Sequence, residues 1–121
     1  MFIRAKGIVA DKVTLNAGGA DALVLEYRFN AALHWQEVMK LRLELAQMAE
    51  KKHPNTEQIG AKIIELFGVV FGADTTKEIV SFFENSYESM IENLLPVFQY
   101  KIYPACEKAR KKAIKARKAA K

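Results

Sequence analysis

Most of this 121-residue chain carries apolar residues three and four positions apart, which is the spacing of one buried face of an α-helix. Proline disfavours helix in the residue before it, so His53-Pro54-Asn55 is a firm break, and Asn55 can cap the helix that follows. Gly72 is suited to end that helix, which the spacing predicts over residues 56–71. The chain is therefore predicted to be mainly helical.

Residues 22–52 carry two patterns that predict different structures. Every second side chain over residues 23–29 is large, as in a strand with one buried face. Apolar residues also follow a helical heptad spacing from Val24 to Met48. Because the second pattern spans more residues, we expect one long helix over residues 22–52, and the alternative is a strand that ends at Asn30.

The remaining segments complete the expected fold. Brief β-branched runs near the N-terminus predict a small β hairpin. Thr75-Thr-Lys-Glu78 has the form of a capping box, which predicts that a short third helix opens there. The last helix should begin near Tyr87, and Pro96 should kink or break it. The predicted fold class is mainly α, with a small N-terminal β hairpin followed by a four-helix, non-catalytic domain and a basic C-terminal helical tail.

Charge separates along the chain. Residues 1–100 hold ten Lys and Arg against thirteen Asp and Glu, whereas residues 101–121 hold nine against Glu107 alone. We expect a single mainly helical domain over residues 1–104 and a basic tail over residues 105–121 that is helical or disordered. Such a tail is suited to nucleic acid, an anionic surface or an acidic protein partner.

The basic residues of the tail would surround a helix instead of forming one stripe, which favours non-specific phosphate contact over base readout. A solubilising or protein-binding tail is the preferred interpretation, and nucleic-acid binding is the alternative. The basic residues are Lys108, Arg110, Lys111, Lys112, Lys115, Arg117, Lys118 and Lys121.

Few residues are suited to catalysis or metal binding. His34 and His53 lie far apart in the sequence and belong to no metal-ligand motif. Cys106 has no histidine near it in the sequence, and as a single cysteine it forms no internal disulfide. We therefore expect no catalytic, cofactor-binding or metal-binding residues, and no cofactor.

Cysteine content and hydropathy also bear on the compartment. A single cysteine without a charged-then-apolar leader points to an intracellular protein. The longest apolar run, over residues 66–73, is far shorter than the roughly 20 residues that a membrane-spanning helix needs. We therefore expect no membrane insertion.

The helices after Asn55 are rich in large apolar side chains, most of which we assign to the core by default. Helices this rich on several faces would leave apolar area exposed in a monomer, which is typical of an assembly or client surface. The residues predicted for that surface are Leu66, Phe67, Phe71, Phe82, Phe83 and Met90.

Glu84, Glu88 and Glu92 recur at intervals of four and would repel one another on one helix by a few tenths of a kcal/mol per pair. A solvated face is the ordinary interpretation. The functional alternative is an acidic ridge that binds a basic partner, such as the tail of a neighbouring copy.

The order of these segments resembles one known family. The motif-like stretch is Ile63-Ile-Glu-Leu-Phe-Gly-Val-Val-Phe-Gly-Ala-Asp-Thr-Thr-Lys-Glu-Ile-Val80, an apolar helix followed by Phe-Gly and a short helix. An amphipathic helix over residues 87–102 and a basic end over residues 109–118 follow it. In these features the chain is similar to small phage tail assembly chaperones of siphophages and prophages of Gram-positive bacteria.

That resemblance implies a non-enzymatic protein of the host bacterial cytoplasm. Such chaperones bind the aggregation-prone tape-measure protein, multimerise around it, and give way as tail-tube subunits assemble. The expected partners are therefore the tape-measure protein, the tail-tube protein and further copies of this chain in a homo-oligomer. The alternative function is that of a small basic nucleic-acid-binding protein that uses its C-terminal tail.

Overall fold

A three-stranded antiparallel sheet begins the fold. The structure is a computed structural model that describes residues 2–4, 8–16 and 22–119. Its strands are β1 (Phe2–Arg4), β2 (Ile8–Asn16) and β3 (Ala22–Asn30), with β2 in the centre. Helices make up most of the chain after β3, so the predicted mainly α fold with an N-terminal β hairpin is confirmed.

The prediction of one helix over residues 22–52 is wrong in its first part. Residues Ala22–Asn30 form β3, which was the alternative, and helix α1 spans only Ala31–Ala49. Each residue of β3 has a partner on β2. This pairing satisfies the backbone groups that β3 directs toward β2, and it turns one side of β3 to the core. The buried residues of β3 are Leu25, Tyr27 and Phe29.

Helix α2 spans Thr56–Phe71, as predicted. The Asn55 side-chain oxygen accepts a hydrogen bond from the backbone N–H of Gln58 at 3.1 Å, which caps the start of the helix. Gly72 ends the helix with a φ of +86°, a conformation that side-chain-bearing residues rarely adopt. Both ends of α2 are therefore set by adjacent residues.

Helix α3 (Ala73–Phe82) begins directly after Gly72, so the capping box predicted at Thr75 is wrong. Thr75 already lies inside the helix. The next residue, Thr76, donates its hydroxyl proton back to the Gly72 carbonyl at 2.7 Å. Helix α3 consequently starts without a side-chain cap.

A continuous helical segment forms the C-terminal part of the fold. It consists of α4 (Tyr87–Val97), a π-helical turn (Phe98–Ile102) and α5 (Tyr103–Ala119). Pro96 and Pro104 each remove one backbone donor, and the wider π turn lies between them. In this turn the Tyr103 N–H donates to the carbonyl of Phe98, five residues back. The prediction for Pro96 was a kink or a break, and the helix continues through Pro96 without a break.

The core lies between the inner face of the sheet and the helices. Helix α5 belongs to it, because Ala105 and Cys106 are buried and the helix packs along α1. The predicted boundary between residues 104 and 105 thus falls inside a core helix. The later part of α5 is mostly exposed.

Candidate docking groove

An apolar groove lies where α1, α2 and α4 meet, and its volume is about 300 Å³. The lining side chains are aliphatic or aromatic, and only that of Tyr103 carries a polar atom. They come from the C-terminal half of α1, from α2, and from the segment running from α4 into α5. The lining residues are Leu45, Ala46, Ala49, Ile59, Ile63, Leu66, Phe67, Ile91, Leu95, Phe98 and Tyr103.

The walls of the groove differ in side-chain size. On α1 the exposed Ala46 and Ala49 are small, so they leave space opposite α4. On α4, Ile91 and Leu95 lie one turn apart and stay 38% and 42% exposed. Pairs of large apolar side chains at helical spacing usually face a protein interior, so these two indicate a contact surface.

The end of the groove near α5 carries a cation. The guanidinium carbon of Arg42 lies 4.2 Å from the ring centroid of Tyr103, which is a cation–π arrangement. Burial raises the pKa of the Tyr103 hydroxyl, and Arg42 opposes that rise. Beside it, the rings of Phe98 and Phe67 stack with centroids 5.7 Å apart and hold the floor of the groove in place.

The structure does not bring the six residues of the predicted client or self-assembly surface together as one exposed patch. Leu66 and Phe67 form part of the groove floor, where they are 4% and 3% exposed. Phe83 and Met90 are core side chains away from the groove. Phe83 and Met90 seal the helices to one another and are unavailable as a surface, whereas Leu66 and Phe67 contribute only to the floor of the groove.

Phe71 and Phe82 are half-buried. Phe71 packs edge-on against Tyr27 of β3, with centroids 5.2 Å apart, and so joins α2 to the sheet. Phe82 packs against Phe83 at 5.0 Å. Both rings already have partners within the chain, and neither lines the groove.

The basic residues do not surround α5, because one face of its first half is buried against α1. Arg110 is turned onto Glu107, with its Nε 3.0 Å from the carboxylate Oε1. The other described basic residues are exposed, and Lys121 lies outside the described residues. Four lysines lie three or four positions apart and therefore share one exposed side of α5, which we call the lysine face. They are Lys108, Lys111, Lys115 and Lys118.

Other chemistry in the described ranges is limited. Burial raises the pKa of the Cys106 thiol to about 12, so this sulfur is not an activated nucleophile. Residues 2–4, 8–16 and 22–119 contain no group of three His, Cys, Asp or Glu side chains that could hold a metal ion. Nor does any helix in these ranges combine the length and apolar character needed to cross a membrane.

In comparisons with known proteins, no family model, no curated protein and no solved structure matches this chain. The groove and the lysine face of α5 are therefore the features from which a function can be argued. Sequence reasoning missed Ala46, Ala49, Ile91 and Leu95 as site residues. The available signal for Ile91 and Leu95 was their spacing of four residues beside Glu88 and Glu92, whereas the two alanines gave none.

Proposed function

We propose that this chain is a non-enzymatic phage tail assembly chaperone of the bacterial cytoplasm, which binds the tape-measure protein and self-associates during tail assembly. The observation that supports this proposal is the open apolar groove between α1, α2 and α4. Amphipathic helices are commonly bound in hydrophobic grooves of this kind, with apolar anchors three or four residues apart.

The chemistry of the lining favours a helix as the occupant. Almost all lining side chains are apolar, so they cannot satisfy the backbone N–H and C=O groups of an extended peptide. A helix satisfies those groups internally and presents only side chains to the groove. We therefore expect the occupant to be a helical segment of the tape-measure protein with apolar side chains on the face that contacts the groove.

Co-expression with the tape-measure protein of the same genome tests this proposal. Ala49→Glu places a carboxylate in the groove at an exposed position, so the chain should fold while the soluble, co-eluting tape-measure protein falls at least tenfold. Gln47→Glu adds the same charge to α1 outside the groove and should bind as the wild type does. A folded Ala49→Glu variant that keeps the tape-measure protein soluble would overturn the groove as the client site.

Nucleic-acid binding is the second candidate function, and the lysine face of α5 favours it. Tyr100, which is 73% exposed, precedes these lysines and could stack on a base. If this function is right, the affinity for a DNA duplex falls steeply with salt, and Lys108→Gln reduces the log–log salt slope by about 1. A chain that shows no salt-dependent binding to a DNA duplex excludes it.

A further inference from the structure

Two exposed helical faces of this chain share one spacing of residues and carry opposite charges. In each face, two residues of like charge lie four positions apart, and an isoleucine lies directly before the second of them. A fourth residue follows three positions after the second charge. The isoleucines are similarly exposed, 38% for Ile91 and 39% for Ile114. The α4 face consists of Glu88, Ile91, Glu92 and Leu95, and the α5 face consists of Lys111, Ile114, Lys115 and Lys118.

Neither face is neutralised within the described chain. Glu88 and Glu92 lie one turn apart and repel each other, as do Lys111 and Lys115. No salt bridge between described residues includes any of these four side chains. Glu107, one turn before Lys111, acts on it electrostatically, but its carboxylate is ion-paired with Arg110. Each face therefore keeps a net charge opposite in sign to that of the other face.

The two faces cannot meet within one molecule. They lie on α4 and α5, which belong to the single helical segment that runs from Tyr87 through the π turn to Ala119. Without a break between them, one half of this segment cannot fold back onto the other. A contact between the two faces therefore requires two molecules.

We propose that the α5 face of one copy docks on the α4 face of a second copy. Lys111 and Lys115 then approach the two glutamates, and Ile114 covers Ile91 and Leu95, which are 38% and 42% exposed at the α4 edge of the groove. The charged pairs set register and specificity, and burial of the apolar side chains contributes the favourable free energy.

This contact joins two different faces, so it is heterologous. Each copy in a pair keeps one unused face, and addition continues until the array closes as a ring or extends as a filament. The inference deepens the self-association part of the proposed function and needs no client. The client test uses Ala49 on α1, whereas the self-association test uses only charged residues on α4 and α5.

Charge reversal followed by size-exclusion chromatography with light scattering tests the contact. Wild-type chain should self-associate at low salt, and high salt should reduce its mass. The double variants Glu88→Lys/Glu92→Lys and Lys111→Glu/Lys115→Glu should each fall to the mass of one copy, 13.7 kDa. Their equimolar mixture should regain wild-type size, because each variant then meets an opposite charge on the other.

A chain with all four reversals should also self-associate. The matched control Lys112→Glu/Arg117→Glu reverses two exposed charges of α5 outside the docking face, and it should keep wild-type size. A monomeric wild type, double variants of wild-type size, or a mixture that stays monomeric overturns the proposal. The proposal is also overturned if the mass above 13.7 kDa is due to bound nucleic acid, which would raise the ratio of nucleic-acid to protein absorbance in the eluted peak. Loss of assembly with retained tape-measure binding supports this interface and shows that the charged residues of α4 and α5 serve self-association and not client binding.

Discussion

Lys101 in the π-helical turn forms an ion pair with Asp11 on the inner face of strand β2. The Asp11 side chain is 12% exposed and that of Lys101 is 28% exposed, so both charges are largely removed from water. The pair ties the long C-terminal helical segment to the sheet, at the point where that segment changes from α to π geometry. The π turn therefore positions the Lys101 side chain beside Asp11, in addition to joining the two proline-containing helices.

Replacing Lys101 should destabilise the fold, because the mostly buried Asp11 carboxylate then loses one of its favourable interactions, the ion pair with Lys101. We expect Lys101→Met to lower the free energy of unfolding by about 1–3 kcal/mol, measured by urea denaturation at pH 7. The double variant Asp11→Asn/Lys101→Met should recover part of that loss, since it also removes the mostly buried negative charge. Equal stability of Lys101→Met and the wild type would contradict this role for the pair.

Helix bounds were predictable from the sequence where the deciding interactions are local. Asn55 and Gly72 set the ends of α2 through their own backbone and immediate neighbours. Residues 22–30 are different, since they fit both a strand and a helix. Pairing with β2 decides between the two, and whether a distant strand lies in register is not visible in the segment itself.

The groove was harder to predict than the helices that form it. Apolar spacing groups Met90 and Ile91 on one side of α4, but the structure buries Met90 fully and leaves Ile91 exposed. Ala46 and Ala49 give no signal of their own in the sequence. A groove forms where small side chains on one helix face large ones on another, so it depends on tertiary packing.

Two glycines of the Phe-Gly region should respond oppositely to alanine. Beyond its chain neighbours and the backbone of its own helix, a Cβ atom at either Gly68 or Gly72 would meet no atom within 4 Å, so steric contacts with the rest of the protein do not separate the two. Gly68 lies inside α2, where alanine should stabilise the protein by up to about 1 kcal/mol. Gly72 has a φ of +86°, which alanine adopts only with strain, so Gly72→Ala should destabilise the protein by about 1–3 kcal/mol. The melting temperatures of both variants test this prediction, and a Gly72→Ala variant more stable than the wild type would contradict it.

The Tyr27 hydroxyl is buried and has no hydrogen-bond partner among the described residues. Removing it should relieve the cost of burying an unpaired polar group, so Tyr27→Phe should be more stable by about 1 kcal/mol at pH 7. The measurement is the midpoint of denaturant unfolding. A less stable variant would mean that the hydroxyl makes a favourable interaction after all.

The same tyrosine makes stability depend on alkaline pH. Burial raises the Tyr27 pKa from 10.0 to about 12, so ionisation of this side chain costs the folded chain no stability below pH 10. Between pH 10 and pH 12 the unfolded chain releases the phenolic proton and the folded chain keeps it, so the free energy of unfolding falls as pH rises. Tyr27→Phe should reduce this slope, and Cys106 and Tyr103, whose pKa values are also raised by burial, should account for much of the rest. An unchanged slope would show that Tyr27 titrates normally.

Two truncations should separate the core part of α5 from its basic part. Deletion of residues 105–121 removes Ala105 and Cys106 from the core and uncovers the side of α1 on which they pack. We expect a loss of about 3 kcal/mol or more, seen as a lower melting temperature in circular dichroism. Deletion of residues 111–121 keeps those contacts and should change the free energy of unfolding by less than about 1 kcal/mol. The shorter deletion is thus the suitable test of the lysine face, because a binding loss after the longer one would reflect unfolding. Similar melting temperatures for the two truncated chains would mean that the first turns of α5 add little to the core.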